Sequence, residues 1–276
     1  MDIQQQKQFR ILVIGDSCTD VYHYGECVRI SPEAPIPVLR HIKSEEYGGM
    51  ALNVYENLKG LGNRVDIVTN DEKITKERFI ENRTMHHFLR FDTGERKKLH
   101  PASKEKINKI IFSEYSVVAI SDYDKGFLDE AVIKKILMEC RELNIPVFVD
   151  SKRKDLSCFE GCVIKINKEE YASSIAFPNL CEIIVTIGKE GAIWREEIFP
   201  PAKSEIDNLE ASSSNSLRGA NVCGAGDTFL SGLITEYLKS KDLNKSIKFA
   251  NFCAARAIEN FGTYVISMED LNDLCV

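Results

Sequence analysis

Short apolar runs, each ending in a polar residue or a glycine, limit most strongly what this chain can fold into. They lie at residues 11–16, 117–122, 147–150 and 183–188. Runs of this length and composition are typical of parallel strands that are buried on both faces of a sheet. Segments with helical periodicity alternate with them, at residues 51–61, 129–143, 225–238 and 244–259. The alternation predicts an α/β fold with right-handed crossovers and a mainly parallel sheet, whose carboxyl edge is the usual place for a ligand.

A second kind of segment interrupts this alternation. Residues 22–41 contain three prolines among residues that favour strands, and residues 74–91 alternate apolar and polar side chains. Proline excludes a helix here and restricts a strand to the edge of a sheet. We expect the two regions, approximately 20–45 and 74–95, to form a small antiparallel β flap or lid within a single domain spanning residues 1–276.

Composition excludes several classes of protein. The net charge of -6 argues against a nucleic-acid partner, and no apolar run reaches the ~20 residues of a membrane span. The polar residues 1–10 do not resemble a signal peptide. Nine scattered cysteines without a C-x-x-C pair favour a reduced, cytoplasmic protein.

The residues with the clearest chemistry lie at 221–229, with the sequence NVCGAGDTF. Gly224, Ala225 and Gly226 precede an apolar-periodic helix, so their backbone N–H groups can hold an anion at its N-terminus. Asp227, in the first turn, is placed to take a proton from an attacking hydroxyl while those groups hold a phosphoryl group. The alternative is an ordinary turn followed by a helix-capping aspartate.

Taken in chain order, several motifs resemble those of sugar kinases of the ribokinase/phosphofructokinase-B family. The similar pieces extend from about residue 10 to 266 and comprise residues 15–25, 29–38, Gly48 and Gly49 with Asn53, 121–126, 149–152, Asn167 with Glu170, 186–191, 224–228 and 250–255. The RISPEAPxPV and SDYxKG segments are most similar to the bacterial D-glycero-D-manno-heptose 7-phosphate kinase branch. The resemblance implies a three-layer α/β/α fold with a small β lid.

The resemblance also implies roles for the phosphoryl-transfer end of the site. It makes Asp227 the catalytic base and the N–H groups around Gly224, Ala225 and Gly226 an anion hole for the γ-phosphoryl group of ATP. Asn167 and Glu170 match a motif that organises Mg²⁺, with Glu170 acting indirectly through water. From the residues alone, Asn167 is equally well a helix cap with Glu170 as its partner.

For the two ligands, the resemblance assigns further residues. On the sugar side these are Asp16, Asp20, Gly48, Gly49, Asn53, Asp122 and Lys125. On the nucleotide side they are Thr186, Gly188 and Gly191, with Asn251 near the adenine. Simpler alternatives remain open for three of them: Asp16 ends a strand, Lys125 is a solvated lysine, and Asn251 is a polar residue of the last helix.

The chain departs from the family pattern in four places. Residues 70–73 lead almost directly into the segment at 74–78, where family members usually carry another α/β unit. Asn221 and Cys223 stand where aspartate and threonine are usual, and Asn221 lacks a charge that would support K⁺ binding. Met50 follows the paired glycines where small residues are usual. The serine-rich residues 211–216 have no obvious counterpart.

These observations lead to one expected function and two alternatives. We expect ATP-dependent phosphorylation of the anomeric hydroxyl of a sugar phosphate, giving D-glycero-D-manno-heptose 1,7-bisphosphate for surface-sugar or lipopolysaccharide synthesis. The alternatives are a kinase for another sugar or sugar phosphate, and a non-catalytic binder that retains the fold. No H-x-G-H motif occurs, so we expect a separate nucleotidyltransferase. Edge strands of the flap also suggest a homodimer.

Overall fold

Strands and helices alternate along most of this chain, in a computed structural model that describes residues 9–95, 98–201, 224–260 and 262–271. The strands are β1 Arg10–Gly15, β2 Ser17–Ile30, β3 Pro37–Met50, β4 Arg64–Thr69, β5 Thr75–Glu81, β6 His87–Thr93, β7 Val117–Asp122, β8 Val147–Ser151, β9 Val163–Asn167, β10 Glu182–Thr186, β11 Ala192–Trp194 and β12 Glu197–Phe199. The helices are α1 Ala51–Gly60, α2 Lys104–Asn108, α3 Glu130–Glu142, α4 Lys168–Ser173, α5 Ala225–Ser240 and α6 Leu243–Ile258.

The larger sheet has eight strands in the order β12-β11-β10-β9-β8-β7-β1-β4. Its six strands from β10 to β4 are parallel to one another, while the β10–β11 and β11–β12 pairs are antiparallel. The predicted α/β fold and its parallel sheet are therefore confirmed. The four predicted helices occur as α1, α3, α5 and α6, each within two residues of the predicted bounds.

Helices cover both faces of this sheet, and β1 shows how its sequence produces the layers. Side chains alternate along a strand, so Leu12 and Ile14 pack with Ile133 and Ile136 of α3 on one face. Ile11 and Val13 pack on the other face, in the cluster that contains Phe229, Leu230 and Leu233 of α5. Each fully buried aliphatic side chain contributes about 1.5–3 kcal/mol. The result is a three-layer α/β/α arrangement.

The smaller sheet has the order β3-β2-β5-β6. The β2–β3 and β5–β6 pairs are antiparallel, but the central β2–β5 pair is parallel, so the prediction of an antiparallel flap was wrong for that pair. The reason lies in the larger sheet. β2 continues from β1 and β5 follows β4, and because β1 and β4 are parallel neighbours, their continuations leave the sheet side by side in the same direction. β3, which begins at Pro37, is an edge strand, as proline requires.

The connection from the larger to the smaller sheet is short. β4 is the edge strand of the larger sheet, and only five residues separate it from β5. Asn70 stabilises this crossing, since its Oδ1 accepts from Ser17 N at 2.7 Å and its Nδ2 donates to Ser17 O at 3.2 Å. The predicted direct passage from residues 70–73 into a strand is confirmed.

Two predictions about composition can be compared with the described residues. None of the helices there is long and apolar enough to cross a bilayer. The seven cysteines in the same part of the chain are not paired in disulfides.

Candidate active site

A cavity of about 350 Å³ opens where the carboxyl ends of the parallel strands meet the N-terminus of α5. Six of the predicted site residues line it: Asn167, Thr186, Gly188, Gly224, Gly226 and Asp227. Four lining residues were not predicted as site residues: Tyr123, Asp150, Lys152 and Lys165. The strands of a parallel sheet present their carboxyl ends at one edge, which explains why segments so distant in sequence converge here.

A larger cavity of about 460 Å³ lies under the short β4–β5 connection. Asp71, Glu72, His100 and Lys106 line it together with small and apolar residues, and none of the predicted site residues does. We place the candidate active site in the smaller cavity because it combines a candidate base, the buried Lys165, the half-buried Lys152 and a helix N-terminus.

The N-terminus of α5 is built to face an anion. Gly224 precedes the helix with φ 85°, a left-handed conformation that favours glycine. A Cβ at Gly224 would lie 2.8 Å from Asn53 Nδ2, and one at Gly226 would lie 2.7 Å from Lys165 Nζ. Both glycines therefore let side chains from other elements approach the first turn, where N–H groups lack helical partners. Ala225, between them, begins the helix.

Asp227 is held at this helix end with both carboxylate oxygens in hydrogen bonds. Asn53 Nδ2 donates to Oδ2 at 2.8 Å, and Tyr123 Oη donates to Oδ1 at 3.2 Å. The residue is 5% exposed. Burial and then the charge of Asp150 raise its pKa to about 6, although Asn53, Lys165 and Lys152 act in the opposite direction. A carboxylate with this pKa is ionised at neutral pH and is still able to accept a proton.

A chain of buried ion pairs lies beside the base. Lys165 Nζ is 2.6 Å from Asp150 Oδ2, Lys152 Nζ is 3.0 Å from Asp150 Oδ1, and Lys152 also pairs with Glu170 Oε1 at 2.7 Å. Burial alone would raise the pKa of Asp150, but the two ammonium groups lower it to about 2. Burial opposes the charge of Lys152, yet Asp150 and Glu170 raise its pKa above the ordinary value. Both lysines thus lie in ion pairs at the cavity, close to the N-terminus of α5.

Asn167 and Glu170 form a reciprocal capping box at the start of α4. Asn167 Oδ1 accepts from Glu170 N at 2.8 Å, and Glu170 Oε2 accepts from Asn167 N at 2.9 Å. The helix cap that the sequence offered as the simpler alternative is therefore present. It uses Glu170 Oε2, and the other carboxylate oxygen, Oε1, pairs with Lys152. The described residues contain no group of three or more acidic, cysteine or histidine side chains that could hold a metal ion.

The predicted nucleotide residues divide into two groups. Thr186, at the end of β10, and Gly188 line the cavity. Gly191 has φ 96° and its α-carbon faces the Phe199 carbonyl so closely that a Cβ would overlap with it. Asn251 is 6% exposed and donates to the Phe199 and Pro200 carbonyls at 3.0 and 2.9 Å. Gly191 and Asn251 thus position the chain at residues 199–200 and do not line the cavity.

Asp16 and Asp122 are fully buried and bind protein groups. Asp16 accepts hydrogen bonds from the backbone N–H groups of Tyr123, Lys125 and Phe127 at 2.8, 3.3 and 3.3 Å. Its pKa is raised to about 6 by burial and by Asp122. Asp122 accepts from Ser151 Oγ at 3.0 Å and pairs with Arg153 Nε at 2.5 Å. Together the two carboxylates shape the loop that carries Tyr123 and Lys125.

The remaining sugar-side residues lie where the two sheets meet. Asp20 pairs with Arg78 Nη1 at 2.5 Å, and the guanidinium also covers the Tyr22 ring at 4.9 Å. Gly49 faces Asp20 and Cys18 so closely that a Cβ would overlap with both side chains. Gly48 lies next to Leu52, at the start of α1. Lys125 Nζ donates to Glu95 Oε2 at 2.8 Å and is not a freely solvated lysine.

Sequence reasoning missed the buried lysines, although one signal was available. Lys165 interrupts the apolar residues of β9, and a charge in such a strand is rarely buried without a partner. A lysine in that position therefore indicates a nearby carboxylate or a ligand anion. Asn221, Cys223 and the serine-rich residues 211–216 lie outside the described residues.

Curated relatives cover nearly the whole chain. The Bifunctional protein HldE of Campylobacter curvus is 30% identical over 319 aligned positions, covering 97% of this chain and 65% of the relative. The protein of the same name from Campylobacter jejuni subsp. doylei is 30% identical, covering 98% of this chain and 66% of the relative. The chain thus spans slightly less than two thirds of the length of these relatives. The first alignment is longer than the 276 residues of the chain, so segments of that relative have no counterpart here.

Solved structures show the same fold at low sequence identity. Arabidopsis thaliana ribokinase complexed with ribose and ATP superposes with a TM-score of 0.68 at 12% identity, covering 97% of this chain and 98% of the other. Escherichia coli phosphofructokinase-2 in complex with potassium gives 0.69 at 15% identity, covering 96% and 98%. The fold is ribokinase-like, as predicted.

The profile of the pfkB family carbohydrate kinases matches residues 163–271. That region contains Lys165, the capping box at Asn167 and Glu170, the strand end at Thr186 and the helix start that carries Asp227. The predicted resemblance is confirmed by this match together with the relatives and the fold. Residues 163–271 of this chain match the pfkB family of carbohydrate kinases, and the chain as a whole has the ribokinase-like fold.

Proposed function

We propose that this protein transfers the γ-phosphoryl group of ATP to the anomeric hydroxyl of a sugar phosphate, with D-glycero-D-manno-heptose 7-phosphate as the acceptor. The observation that carries the proposal is the position of Asp227. It is a buried carboxylate with a pKa of about 6, and it lies at an anion-binding helix end beside a buried lysine. A protein that only bound a phosphate would gain nothing from a carboxylate in that place, because the two charges repel.

The chemistry follows from the positions of these groups. Asp227 accepts the proton of the sugar hydroxyl as the oxygen attacks the phosphoryl group. The N–H groups of Gly224, Ala225 and Gly226 and the ammonium of Lys165 face the charge that spreads over the phosphoryl oxygens. Phosphoryl transfer depends mainly on positioning and charge stabilisation, and one preorganised donor contributes on the order of 3 kcal/mol.

Mg²⁺ is part of this proposal. Glu170 Oε1 pairs with the cavity-lining Lys152, and the described residues contain no group of three or more side chains that could hold a metal ion by themselves. This fits Mg²⁺, which commonly keeps several waters and is held mainly by phosphate oxygens. When bound, the ion neutralises phosphate charge, while Glu170 orients its water shell and Lys152 turns towards the phosphates. Thr186 and Gly188 line the nucleotide end. We do not propose potassium activation, because asparagine replaces aspartate at position 221.

The choice of a heptose phosphate is supported by the sequence. The segments at residues 29–38 and 121–126 resemble the heptose 7-phosphate kinase branch, and the relatives are named Bifunctional protein HldE. The second of these segments forms the loop whose backbone N–H groups are bound by Asp16. We expect the reaction to take place in the cytoplasm and to supply surface-sugar synthesis, where a nucleotidyltransferase would use the sugar 1-phosphate product.

We also propose that two copies associate through the smaller sheet, which acts as a lid. Its strands and the turn between β2 and β3 expose an unusual number of large apolar side chains: Val28, Ile30, Ile36, Ile42, Leu89 and Phe91. β3 and β6 are its two edges, with backbone groups that can pair with another strand. Sedimentation analysis should show a dimer that Phe91→Glu converts to a monomer. A wild-type monomer at micromolar concentration would contradict this proposal.

The proposed activity has a direct test. The purified protein is mixed with ATP, Mg²⁺ and D-glycero-D-manno-heptose 7-phosphate, and ADP release is followed beside an Asp227→Asn control. We expect wild-type turnover at least 100-fold above the variant, since a placed base contributes ~10²–10⁴-fold. Turnover with another sugar phosphate alone would keep the kinase and replace the acceptor. Binding of ATP and sugar without turnover would mark a non-catalytic binder.

A further inference from the structure

We propose that Lys76 and Lys125 form the binding site for the distal phosphate of the acceptor, and that Glu95 occupies this site when the sugar is absent. The inference rests on the proposed function, since it names the feature by which the same site selects phosphorylated sugars. It adds two residues, Lys76 and Glu95, that the family motifs did not single out.

Glu95 bridges two ammonium groups that belong to different parts of the fold. Lys125 Nζ is 2.8 Å from Glu95 Oε2, and Lys76 Nζ is 3.5 Å from Glu95 Oε1. Lys76 lies on β5 of the smaller sheet, whereas Lys125 lies in the loop after β7 of the larger sheet. Glu95 follows β6. The bridge thus spans the gap between lid and body, on the sugar side of the site.

The contact between Lys76 and Glu95 lacks the hydrogen bonds that these two groups could make. Among the described residues, the buried Glu95 Oε1 has no hydrogen-bond partner. The Lys76 side chain is only 15% exposed, and within the described residues its ammonium makes no hydrogen bond. An ammonium has three donors and a carboxylate oxygen has two lone pairs, so a half-buried pair left in this state loses hydrogen bonds that water would supply. If this ion pair served only to hold the two sheets together, we would expect Lys76 Nζ to lie within hydrogen-bond distance of Glu95 Oε1 in a favourable geometry.

A phosphate would satisfy the groups that Glu95 does not. It has three terminal oxygens, which can accept from both ammonium groups at once, and charge-assisted hydrogen bonds of this kind are the strong ones. The two lysines carry two positive charges against the single charge of Glu95. When Glu95 turns out to solvent, the lysines can balance a phosphate dianion. A neutral sugar offers no such exchange and leaves Glu95 in place.

The position relative to the base fits a phosphorylated sugar. Lys76 Nζ lies 5.9 Å from the centre of the Tyr123 ring, and the hydroxyl of that ring is 3.2 Å from Asp227 Oδ1. The Tyr123 ring therefore lies between Lys76 and the candidate base. A sugar with its anomeric hydroxyl at Asp227 can extend its far carbon, and the phosphate on it, towards the lysines.

The test compares two ligands, D-glycero-D-manno-heptose 7-phosphate and the same heptose without the phosphate, by titration calorimetry. The variants are Lys76→Gln, Lys125→Gln, Glu95→Gln and Lys125→Arg. Lys134→Gln is the matched control, because Lys134 pairs with Glu130 on an exposed helix face. Thermal unfolding of each variant checks that it is folded.

We expect each lysine-to-glutamine variant to weaken binding of the phosphorylated heptose by roughly tenfold or more, and to change binding of the unphosphorylated heptose by less than about twofold. Glu95→Gln should tighten binding of the phosphorylated heptose, and inorganic phosphate should compete with it. Lys125→Arg should retain the preference, and Lys134→Gln should behave like the wild type.

Three results would overturn the inference. The first is an equal effect of the lysine variants on both ligands, the second is weaker binding of the phosphorylated heptose by Glu95→Gln, and the third is a wild type that binds the phosphorylated heptose no more tightly than the unphosphorylated one. The proposed function fails separately. If phosphate preference depends on the lysines but ATP yields no ADP, the site stands and the kinase does not. If ADP is released and the lysine variants keep the wild-type preference, the kinase stands and the site does not.

Discussion

The ammonium group of Lys165 lies directly against Gly226, at the first turn of α5. A Cβ built on Gly226 would lie 2.7 Å from Lys165 Nζ, which itself is 2.6 Å from Asp150 Oδ2. Any larger residue at position 226 must displace either the lysine or the helix end. The glycine at position 226 therefore makes room for a cation next to the first turn of the helix.

Gly226→Ala should lower kcat about 100-fold, and it should also lower stability because moving Lys165 weakens its pair with Asp150. Displacing Lys165 removes one preorganised positive charge, and losing such a group typically costs ~10²–10³-fold in rate. Alanine is a better helix former than glycine by up to ~1 kcal/mol, which offsets part of the local strain. The measurements are steady-state kinetics and urea unfolding.

Gly232→Ala in the same helix is the matched control for this prediction. Its Cβ would lie 2.9 Å from Cys253 Sγ and 3.1 Å from the Ala250 Cα of α6, away from the cavity. We expect it to lose stability by about 1–3 kcal/mol, as overpacked positions do, with kcat nearly unchanged. Equal losses of kcat in the two variants would show that Gly226 acts through helix packing alone.

The pH dependence should report Asp227. Its pKa is raised to about 6 and only the ionised carboxylate can accept a proton, so kcat/KM should fall about tenfold per pH unit as the pH drops below about 6. Asp150→Asn should move this limb to lower pH, because it removes the negative charge that raises the pKa and leaves both lysines. A limb that stays in place in Asp150→Asn would contradict the assignment to Asp227.

Tyr123→Phe should alter the base without removing it. The Tyr123 hydroxyl donates to Asp227 Oδ1 at 3.2 Å, and hydrogen bonds to the charged form lower the pKa of a carboxylate. The acidic limb of kcat/KM should therefore shift upwards, with a several-fold loss of kcat at pH 7. Tyr171→Phe is the control, since Tyr171 is 46% exposed and stacks beside Phe177. An unshifted limb in Tyr123→Phe would rule out a role for Tyr123 in positioning the base.

Local sequence patterns were sufficient to predict the buried strands and the helices of this protein and the position of its candidate base. The apolar run of β1 and the periodicity of α5 predicted a buried strand and a helix that begins at Ala225, which places Asp227 in its first turn. These features depend on neighbours in sequence. The parallel β2–β5 pair could not be read locally, because it depends on β1 and β4 lying side by side.

The charged part of the site was harder to predict for a related reason. The partners of Lys165 and Lys152 are set by the order of β8 and β9 in the sheet, which no single segment encodes. Asp16 was predicted to contact the sugar, yet its carboxylate binds three backbone N–H groups of the 121–127 region. An aspartate at a strand end serves either purpose, and only the fold shows what lies opposite it.

The Asp150–Lys165 pair should also be a large element of stability. The two side chains are 1% and 2% exposed, and removing one partner of a buried pair typically costs about 3–5 kcal/mol. We expect Lys165→Met to lose about 3 kcal/mol in urea unfolding at pH 7, at the lower end because Lys152 still pairs with Asp150. Lys134→Met, at an exposed pair, should leave the stability nearly unchanged. The pKa of Asp150 is lowered from 3.8 to about 2, so its contribution is present above about pH 3.8 and is lost as the pH falls towards 2. The stability difference between wild type and Lys165→Met should shrink over that range, and a difference independent of pH would show that the lysine stabilises the fold through packing of its carbon chain alone.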